Sequence, residues 1–341
     1  MNIVITGGAG FLGQRLARTL LAQGTLSLAG AAPTAITRIT LADRVVPPAD
    51  LLLDARVTAL TGDLNALLED KSTIARVASR DTAIIFHLSA AVSGECEADF
   101  DLGMRSNFAA TVALLQACRA LNTTPMLVFA SSLAVFGDTP GQPMPAVIED
   151  STLPTPQTSY GIQKFIGEQL VADFTRKGFI KGRNVRLMTV SVRPGKPNGA
   201  ASGFFSGMIR EPLAGLEASC PVPPETQAAL SSPSLTVQGI IRAAEASDSA
   251  WGPRTALNLP SVTATVGEMA AALARVAGPT ATALIDWTPD PVIQKIVKTW
   301  PARVNAVRAK GLGLLPANSF EDIIREYVRE NPDAVKLAIR T

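Results

Sequence analysis

The sequence is poor in histidine, cysteine and aromatic residues, and each shortage excludes a class of function. One histidine and three widely spaced cysteines, none in a Cys-x-x-Cys pair, argue against a zinc site and against a disulfide framework. Aromatic residues make up only 5% of the chain, and the Lys and Arg residues are scattered, which argues against a nucleic-acid groove. We therefore expect no metal, no nucleic-acid partner, free thiols and a cytoplasmic location.

Long apolar runs are also missing from the chain. No run approaches the ~20 residues that a membrane-spanning helix needs. The first predicted strand begins almost at Met1, so we expect no membrane anchor and no leading targeting segment. Nearly half of the 341 residues are nevertheless apolar, 18% are charged, and the formal net charge is only +2. This composition is typical of a globular protein with one large or two modest domains.

A glycine-rich turn, Thr6–Gly13, directly follows the apolar run Ile3–Ile5 and opens a segment with helical periodicity. Gly7 lets the chain turn sharply off the strand, Gly10 leaves room for a pyrophosphate, and Gly13 lets the helix pack close to the strand. The free N–H groups at the helix start favour a phosphate group. This context favours a dinucleotide-binding turn over an ordinary tight turn.

Two acidic residues follow the next predicted strands, Ile36–Leu41 and Val57–Leu60. The carboxylate of Asp43 can accept hydrogen bonds from ribose hydroxyls and repels a 2′-phosphate, so it favours NAD over NADP. The positively charged Arg44 lies beside it in the sequence, so the choice between NAD and NADP stays open. Asp63 can contact the adenine amino group or cap the following helix.

The apolar run Ala83–Leu88 predicts a strand that is buried on both faces. It ends in the small residues Ser89, Ala90 and Ala91, which would let a cofactor lie over the strand end. His87 lies inside the run, and we interpret it as a core residue rather than a catalyst.

Strands and helices alternate about six times over residues 1–195, with further strands predicted over Met126–Ala130 and Val185–Val192. This pattern predicts an α/β fold, a doubly wound parallel sheet of the Rossmann type. We assign residues 1–195 to an NAD-binding domain and residues 196–341 to a smaller C-terminal substrate-binding domain. Ala256–Leu259 is expected to return to the sheet, and the loop over Asp138–Pro156 to lie on the surface or form a lid.

Tyr160 and Lys164 are four residues apart on a predicted helix and therefore share one face. A neighbouring ammonium lowers the pKa of a phenol from its usual ~10, so Tyr160 can exchange a proton with a substrate hydroxyl. Lys164 can also hold the cofactor ribose, and Ser132, at the end of a strand, can bond the same substrate oxygen. We predict these three residues as the catalytic group for hydride transfer to NAD.

The order of these features resembles the extended short-chain dehydrogenase/reductase family, which includes NAD-dependent epimerases and dehydratases, over essentially the whole chain. The resemblance implies Ser132, Tyr160 and Lys164 as the catalytic group. It also implies a homodimer through the helices Phe100–Leu121 and Tyr160–Lys177. Asn107 is implied near the nicotinamide ribose, or is a polar residue on a helix surface. The predicted NAD contacts are Gly7, Gly10, Phe11, Leu12, Gly13, Asp43, Asp63, Leu64, Ser89, Ala90, Ala91, Asn107, Tyr160 and Lys164.

The segments Thr158–Lys164 and Arg193–Ser206 resemble a narrower group, the D-erythronate dehydrogenase subgroup. Its members oxidise the C2 hydroxyl of a four-carbon sugar acid with NAD. The resemblance implies a small sugar-acid substrate, whose carboxylate Arg210 and the glycine-rich Gly199–Gly207 loop could bind. Phe204 shapes the substrate pocket or packs in the core.

Two other functions remain open at this point. A nucleotide-sugar epimerase or dehydratase would use the same chemistry with tightly held NAD. A non-catalytic, dinucleotide-binding regulatory protein is disfavoured by the intact Tyr160–Lys164 pair and by Ser132. Thr226–Leu230 and the region of Ser234 lack the aromatic and basic residues of the D-erythronate dehydrogenase pattern, so the substrate can differ from D-erythronate.

Overall fold

The apolar runs that predict buried strands form a parallel sheet at the centre of the molecule. The computed structural model describes residues 1–195 and 199–340, and within these ranges the sheet has seven strands. The strands of the chain are β1 (Asn2–Thr6), β2 (Thr25–Leu26), β3 (Thr34–Ala35), β4 (Arg38–Asp43), β5 (Val57–Thr61), β6 (Thr82–His87), β7 (Met126–Ser132), β8 (Ile148–Glu149), β9 (Lys181–Leu187), β10 (Thr189–Val190), β11 (Ala218–Ser219), β12 (Gln227–Ser231), β13 (Leu257–Asn258), β14 (Val262–Thr265), β15 (Ile285–Asp286) and β16 (Val304–Asn305).

Helices cover both faces of this sheet. The α-helices of the described chain, including those that form the second core described below, are α1 (Phe11–Gln23), α2 (Ala49–Leu52), α3 (Leu64–Glu69), α4 (Ile74–Val77), α5 (Ser93–Ala98), α6 (Phe100–Gly103), α7 (Ala110–Leu121), α8 (Ser159–Arg176), α9 (Phe204–Leu213), α10 (Pro233–Glu245), α11 (Asp248–Trp251), α12 (Val266–Ala277), α13 (Pro279–Thr282), α14 (Pro291–Val297), α15 (Val307–Gly311) and α16 (Phe320–Glu330). A π-helical segment, Met104–Ala109, joins α6 to α7.

The strand order β13-β9-β7-β6-β1-β4-β5 confirms the predicted doubly wound α/β fold. The chain adds β4 and β5 on one side of β1, and then β6, β7, β9 and β13 on the other, all parallel. The crevice where the winding direction reverses, at the carboxyl ends of β1 and β6, is where such sheets bind ligands.

The alternation of side chains along β1 explains why both faces of the sheet are buried. Ile3 and Ile5 pack into a core with α1 and α10, whereas Val4 packs on the other face with α7 and α8. Strands that are covered on both faces need apolar residues at nearly every position, and this is why the runs in the sequence are continuous.

The predicted sixth strand, Val185–Val192, is wrong in its bounds. The chain forms β9 in the parallel sheet and then β10, which pairs with β12 in a separate sheet of β10, β12 and β14. Both pieces are buried, so the apolar run gave no sign of the break. The expected return of Ala256–Leu259 to the sheet is confirmed, because β13 pairs in parallel with β9.

The C-terminal part of the chain builds a second core from α9, α12 and α16. Thr265 and Glu268 form a capping box at the start of α12, and Ser319 caps α16. The predicted domain boundary falls between residues 195 and 196, residues 196–198 lie outside the described residues, and the division into two domains stays a prediction. In the described part of the chain, each helix is too short or too polar to span a bilayer.

Candidate active site

A cleft of about 380 Å³ opens where the parallel strands end, at their carboxyl edge. Every predicted cofactor contact except Asn107 lies on its wall. The predicted residues that line it are Gly7, Gly10, Phe11, Leu12, Gly13, Asp43, Asp63, Leu64, Ser89, Ala90, Ala91, Ser132, Tyr160 and Lys164.

The glycine turn has the geometry of a phosphate cradle. Gly7 adopts φ +71°, and its N–H donates to the Ala42 carbonyl at 2.8 Å. A Cβ on Gly13 would lie 2.1 Å from the Gly7 carbonyl oxygen, so only glycine lets α1 come this close. Gly10 precedes α1 in extended backbone, and within the described residues no side chain caps this helix start. The first-turn N–H groups therefore remain available for a pyrophosphate, which fits a dinucleotide.

Asp43 and Asp63 lie at the end of the cleft that is formed by β4 and β5. The Asp43 carboxylate is fixed by two backbone donors, the N–H of Ala9 at 3.0 Å and the N–H of Val45 at 3.2 Å. Asp63 accepts from the N–H of Asn65 at 3.0 Å and so caps α3, while it also lines the cleft. Capping is therefore shown for Asp63, and a contact with adenine stays a prediction.

The three residues that were predicted to be catalytic come together at the end of β7. The Lys164 ammonium lies 5.7 Å from the centre of the Tyr160 ring and donates to the Ala130 carbonyl at 2.8 Å. Ser132 lies beside Tyr160 and acts in the direction that lowers the pKa of the phenol. Ser132 also accepts from the N–H of Ala134 at 3.1 Å, which fixes its side chain.

Burial controls the protonation of this group. It raises the pKa of Tyr160 to about 12, against the smaller lowering effects of the Ser132 hydrogen bond and the charge of Arg193. Burial lowers the pKa of Lys164 to about 8, against the opposing effects of Cys96 and the Glu168 carboxylate. The expectation that Lys164 lowers the pKa of Tyr160 is therefore wrong for this cleft. Desolvation of the phenol is the largest cause of its shift, and the cation that favours the phenolate is Arg193.

Asn107 is buried in the π-helical segment rather than exposed on a helix surface. Its Oδ1 accepts from the Ala91 N–H at 2.8 Å, and its Nδ2 donates to the Ala91 carbonyl at 3.1 Å and to Gln163 Oε1 at 2.8 Å. These bonds hold the strand end at Ala91 against α8. Asn107 is not one of the described residues that line the cleft. Its position near the cofactor ribose therefore stays a prediction.

Arg193 is a cleft residue that sequence reasoning missed. Its Nε donates to the Val190 carbonyl at 3.0 Å, its Nη2 donates to Ser202 Oγ at 2.5 Å, and its guanidinium lies 5.8 Å from the centre of the Phe11 ring. Burial lowers its pKa to about 10, so the side chain stays charged at neutral pH. The available signal was its position directly after the last predicted strand, where other strands of the sheet also end in cleft residues.

Arg210 and Phe204 do not join the described cleft lining. Arg210 is 8% exposed, donates to the Arg193 carbonyl at 2.8 Å and forms an ion pair with Glu211. It therefore stands behind Arg193. Phe204 lies against Phe205, with 4.0 Å between the ring centres. From the predicted glycine-rich loop, Ala200 and Ser202 line the cleft, whereas Lys196, Pro197 and Asn198 of the matching segment lie outside the described residues.

Trp300 lines the cleft from the C-terminal part of the chain and is a second residue that the sequence analysis missed. The predicted loop over Asp138–Pro156 is held nearby, because its short strand β8 pairs with β16. This pairing joins the loop to the segment that follows Trp300.

His87 is a satisfied core residue, as the sequence indicated. It contacts Thr6 Oγ1 at 2.7 Å and Thr111 Oγ1 at 3.0 Å, and burial lowers its pKa to about 3. The cysteines Cys96, Cys118 and Cys220 are free and buried. Over residues 1–195 and 199–340, no group of three or more His, Cys, Asp or Glu side chains could hold a metal ion.

Comparison with known proteins identifies the family of this chain and two curated relatives that match nearly its whole length. Residues 3–227 match the NAD dependent epimerase/dehydratase family. A curated relative from Cupriavidus necator, named D-erythronate dehydrogenase, is 49% identical over 97% of this chain and 98% of its own length. A second protein of that name, from Haemophilus influenzae, is 40% identical over 96% of this chain and 99% of its own length.

Solved structures show the same fold. A structure described as a nucleoside-diphosphate-sugar epimerase from Agrobacterium tumefaciens has a TM-score of 0.87 and 40% identity, and the match covers 98% of this chain and 95% of that one. An L-threonine dehydrogenase from Clostridium difficile has a TM-score of 0.81 at 19% identity, over 98% of this chain and 99% of that one. At that identity, the likeness concerns the fold alone.

Proposed function

The chain belongs to the NAD dependent epimerase/dehydratase family and is an NAD-dependent dehydrogenase, and from that premise we propose that it oxidises the C2 hydroxyl of a small sugar acid. The proposed substrate is D-erythronate or a close analogue, and the product is the 2-oxo acid. One observation carries the proposal: Tyr160 and Arg193 both line the cleft, and the charge of Arg193 acts on the Tyr160 phenol. An α-hydroxy acid carries an alcohol and a carboxylate on neighbouring carbons and matches that pair. The two relatives named D-erythronate dehydrogenase support this substrate class.

The glycine turn and Asp43 would hold the cofactor along the cleft. The first-turn N–H groups of α1 would bind the pyrophosphate, and the Asp43 carboxylate would accept the ribose hydroxyls. Lys164 would donate to the ribose nearer the catalytic group. Bound NAD⁺ supplies the hydride acceptor.

Tyr160 is the proposed proton acceptor for the C2 hydroxyl. Its pKa of about 12 is too high for a base at neutral pH, so the phenolate must gain stabilisation in the complex. A positive charge beside the Tyr160 ring provides that stabilisation, because an opposite charge within a few ångströms favours the phenolate over the neutral phenol. Arg193 already acts in this direction. Ser132, beside the phenol, would orient the substrate oxygen.

Arg193 is the proposed carboxylate-binding residue, in place of Arg210. A guanidinium binds a carboxylate through paired hydrogen bonds, and such charge-assisted bonds are stronger than neutral ones. Arg210 would support it from behind, since its Nη1 already holds the Arg193 carbonyl at 2.8 Å. The oxidation then requires the alcohol carbon to lie between Tyr160 and the bound cofactor.

An NAD⁺ reduction screen over sugar acids of different chain length tests the proposal. We expect NADH to form in proportion to the D-erythronate consumed, with the 2-oxo acid as the product. The 40%-identical structure described as a nucleoside-diphosphate-sugar epimerase favours a second candidate, an epimerase that keeps its NAD through the cycle. Conversion of a UDP-sugar without net NADH, together with no reaction of any sugar acid, would reverse this ranking.

We also propose a homodimer in which α6, α7 and α8 pack against their counterparts. Phe100 on α6 is 61% exposed and Ile162 on α8 is 46% exposed, and apolar side chains of this size are better buried. Sedimentation of the purified protein should give the mass of two chains. Phe100→Asp together with Ile162→Asp should give one.

A further inference from the structure

Glu168 extends the catalytic face of α8 by one more turn. Tyr160, Lys164 and Glu168 are spaced four residues apart, so they lie on one side of the helix, facing the sheet. Lys164 donates to the Ala130 carbonyl at 2.8 Å, and Glu168 Oε1 accepts from Ser131 Oγ at 2.5 Å. Two successive residues at the end of β7 are therefore bonded to successive turns of α8.

Arg186 completes this contact from the neighbouring strand. Its Nε and Nη2 donate to the two Glu168 carboxylate oxygens at 2.8 and 2.7 Å, and the two side chains are only 5% and 2% exposed. Ser131 on β7 is paired in register with Arg186 on β9, so both donors reach the same carboxylate. Asn184 adds a bond to the Glu168 carbonyl at 2.9 Å.

Stability alone is a poor explanation for a buried ion pair. Removing two charges from water costs several kcal/mol per ion, and well-packed apolar residues of similar size are often equally or more stabilising. A fork of two hydrogen bonds, however, fixes direction and distance in a way that apolar packing does not. The residue after Ser131 is Ser132, and Tyr160 lies two turns before Glu168.

We propose that Glu168 and Arg186 are positioning residues, which hold α8 against the end of β7 so that Tyr160 and Lys164 stay within reach of Ser132. They act through these neighbours. The inference rests on the proposed function for the role of the catalytic group, but it applies equally to the epimerase candidate, which uses the same group.

Electrostatics support the same arrangement. The titratable groups that act on Lys164 are Cys96 on α5 and Glu168 on α8, while His87 on β6 is itself affected by Lys164. Burial raises the pKa of Cys96 to about 11 and lowers that of His87 to about 3, so both are neutral at neutral pH. The Glu168 carboxylate is therefore the charge that favours the ammonium form of Lys164.

The double variant Glu168→Leu with Arg186→Met tests the proposal, because it replaces both charges with apolar groups of similar size. Arg183→Met with Asp248→Leu is the control, an Arg–carboxylate pair on the same strand whose acidic side chain is 72% exposed. Arg183 also lies on β9, with a 3% exposed side chain paired to Asp248, but it faces the other side of the sheet and contacts Trp251. For both double variants we measure thermal unfolding, the Kd of NADH, KM and kcat.

We expect the Glu168/Arg186 variant to remain folded, with Kd and KM within about twofold of the wild type and kcat lowered about 100-fold, the scale of a 1 Å misplacement. The Arg183/Asp248 variant should keep its kcat. A folded Glu168/Arg186 variant with unchanged kcat would overturn the inference. Should that variant not fold, Ser131→Ala is the alternative, because it removes only the hydrogen bond from Ser131 on β7 to the Glu168 carboxylate. It should lower kcat about fivefold, the scale of one lost hydrogen bond, and an unchanged kcat there would also overturn the inference.

Hydrogen exchange separates failure of this inference from failure of the proposed function. If the wild type oxidises no sugar acid, the proposed function fails, and the positioning role is then measured by amide exchange over residues 130–136 and 158–168. Exchange there should accelerate in the Glu168/Arg186 variant and in Ser131→Ala, but not in the control pair. Equal exchange in all of them would contradict positioning whatever the substrate.

Discussion

Lys164 places its ammonium 5.7 Å from the centre of the Tyr160 ring, yet its hydrogen bond goes to the backbone carbonyl of Ala130. The ammonium is therefore anchored to β7, with a pKa lowered by burial to about 8, and the phenol is protonated, with a pKa raised to about 12. Tyr160 and Lys164 are thus held close together in a buried site, where burial disfavours the charged form of each side chain.

Lys164→Met should stabilise the fold at neutral pH while it abolishes turnover. A lysine whose pKa falls from its ordinary 10.5 to about 8 in the folded state destabilises that state by roughly 3 kcal/mol while it is charged. This penalty is full below pH 8, shrinks as the pH rises above the folded pKa, and vanishes above the pKa of free lysine, ~10.4. Urea unfolding at neutral pH and at about pH 10 should show a gain in the free energy of unfolding that is lost at the higher pH. A variant less stable than the wild type at neutral pH would contradict this.

Tyr160→Phe should remove turnover and leave cofactor binding intact. Loss of a general base lowers kcat by about 10³-fold, whereas the Kd of NADH should stay within about twofold. Tyr327, the other tyrosine of the chain, is buried in the second core, so Tyr327→Phe is a matched control that should keep its kcat. Undiminished kcat in Tyr160→Phe would rule out the proposed proton transfer.

Arg193→Met should weaken substrate binding and also lower kcat, because the same guanidinium is the proposed carboxylate partner and favours the Tyr160 phenolate. Losing a charge-assisted hydrogen bond costs about 1.5–3 kcal/mol, so KM for the sugar acid should rise about 10- to 100-fold. Arg193→Lys should recover only part of this affinity, because an ammonium lacks the planar fork. The Kd of NADH should not change. Equal effects on a neutral sugar alcohol and on the sugar acid would show that Arg193 does not bind the carboxylate.

The sequence predicted the parts of the site whose chemistry is local. The glycine turn depends on conformation within a few residues, and the spacing of Tyr160 and Lys164 sets their common helix face. Arg210 and Arg193 show the limit. Both are basic residues near the same loop, and only the tertiary packing shows that Arg193 faces the cleft and Arg210 lies behind it. The predicted direction of the Tyr160 pKa shift was wrong for the same reason, since burial is a property of the whole fold.

The break between β9 and β10 also could not be predicted from the sequence. Val185 and Val190 are both buried, one in the parallel sheet and the other in the separate sheet of β10, β12 and β14. Apolar character reports burial and does not report which sheet a strand joins. Glu168 was missed because a lone glutamate on a helix gives no sign of its partner on another strand.

Asp43→Ser should shift cofactor preference from NAD towards NADP. The Asp43 carboxylate is held at the cleft edge by the N–H groups of Ala9 and Val45, where it would repel a 2′-phosphate. Its removal takes away both the repulsion and the acceptor for the ribose hydroxyls, so KM for NAD should rise about tenfold. Arg44, exposed at the same edge, then supplies a positive charge for the phosphate. The matched variant Asp43→Ser with Arg44→Ala should lose the gain for NADP while it keeps the loss for NAD. If NADP use stays unchanged in Asp43→Ser, the carboxylate does not select the cofactor, and the adenosine end of the dinucleotide must lie elsewhere in the cleft.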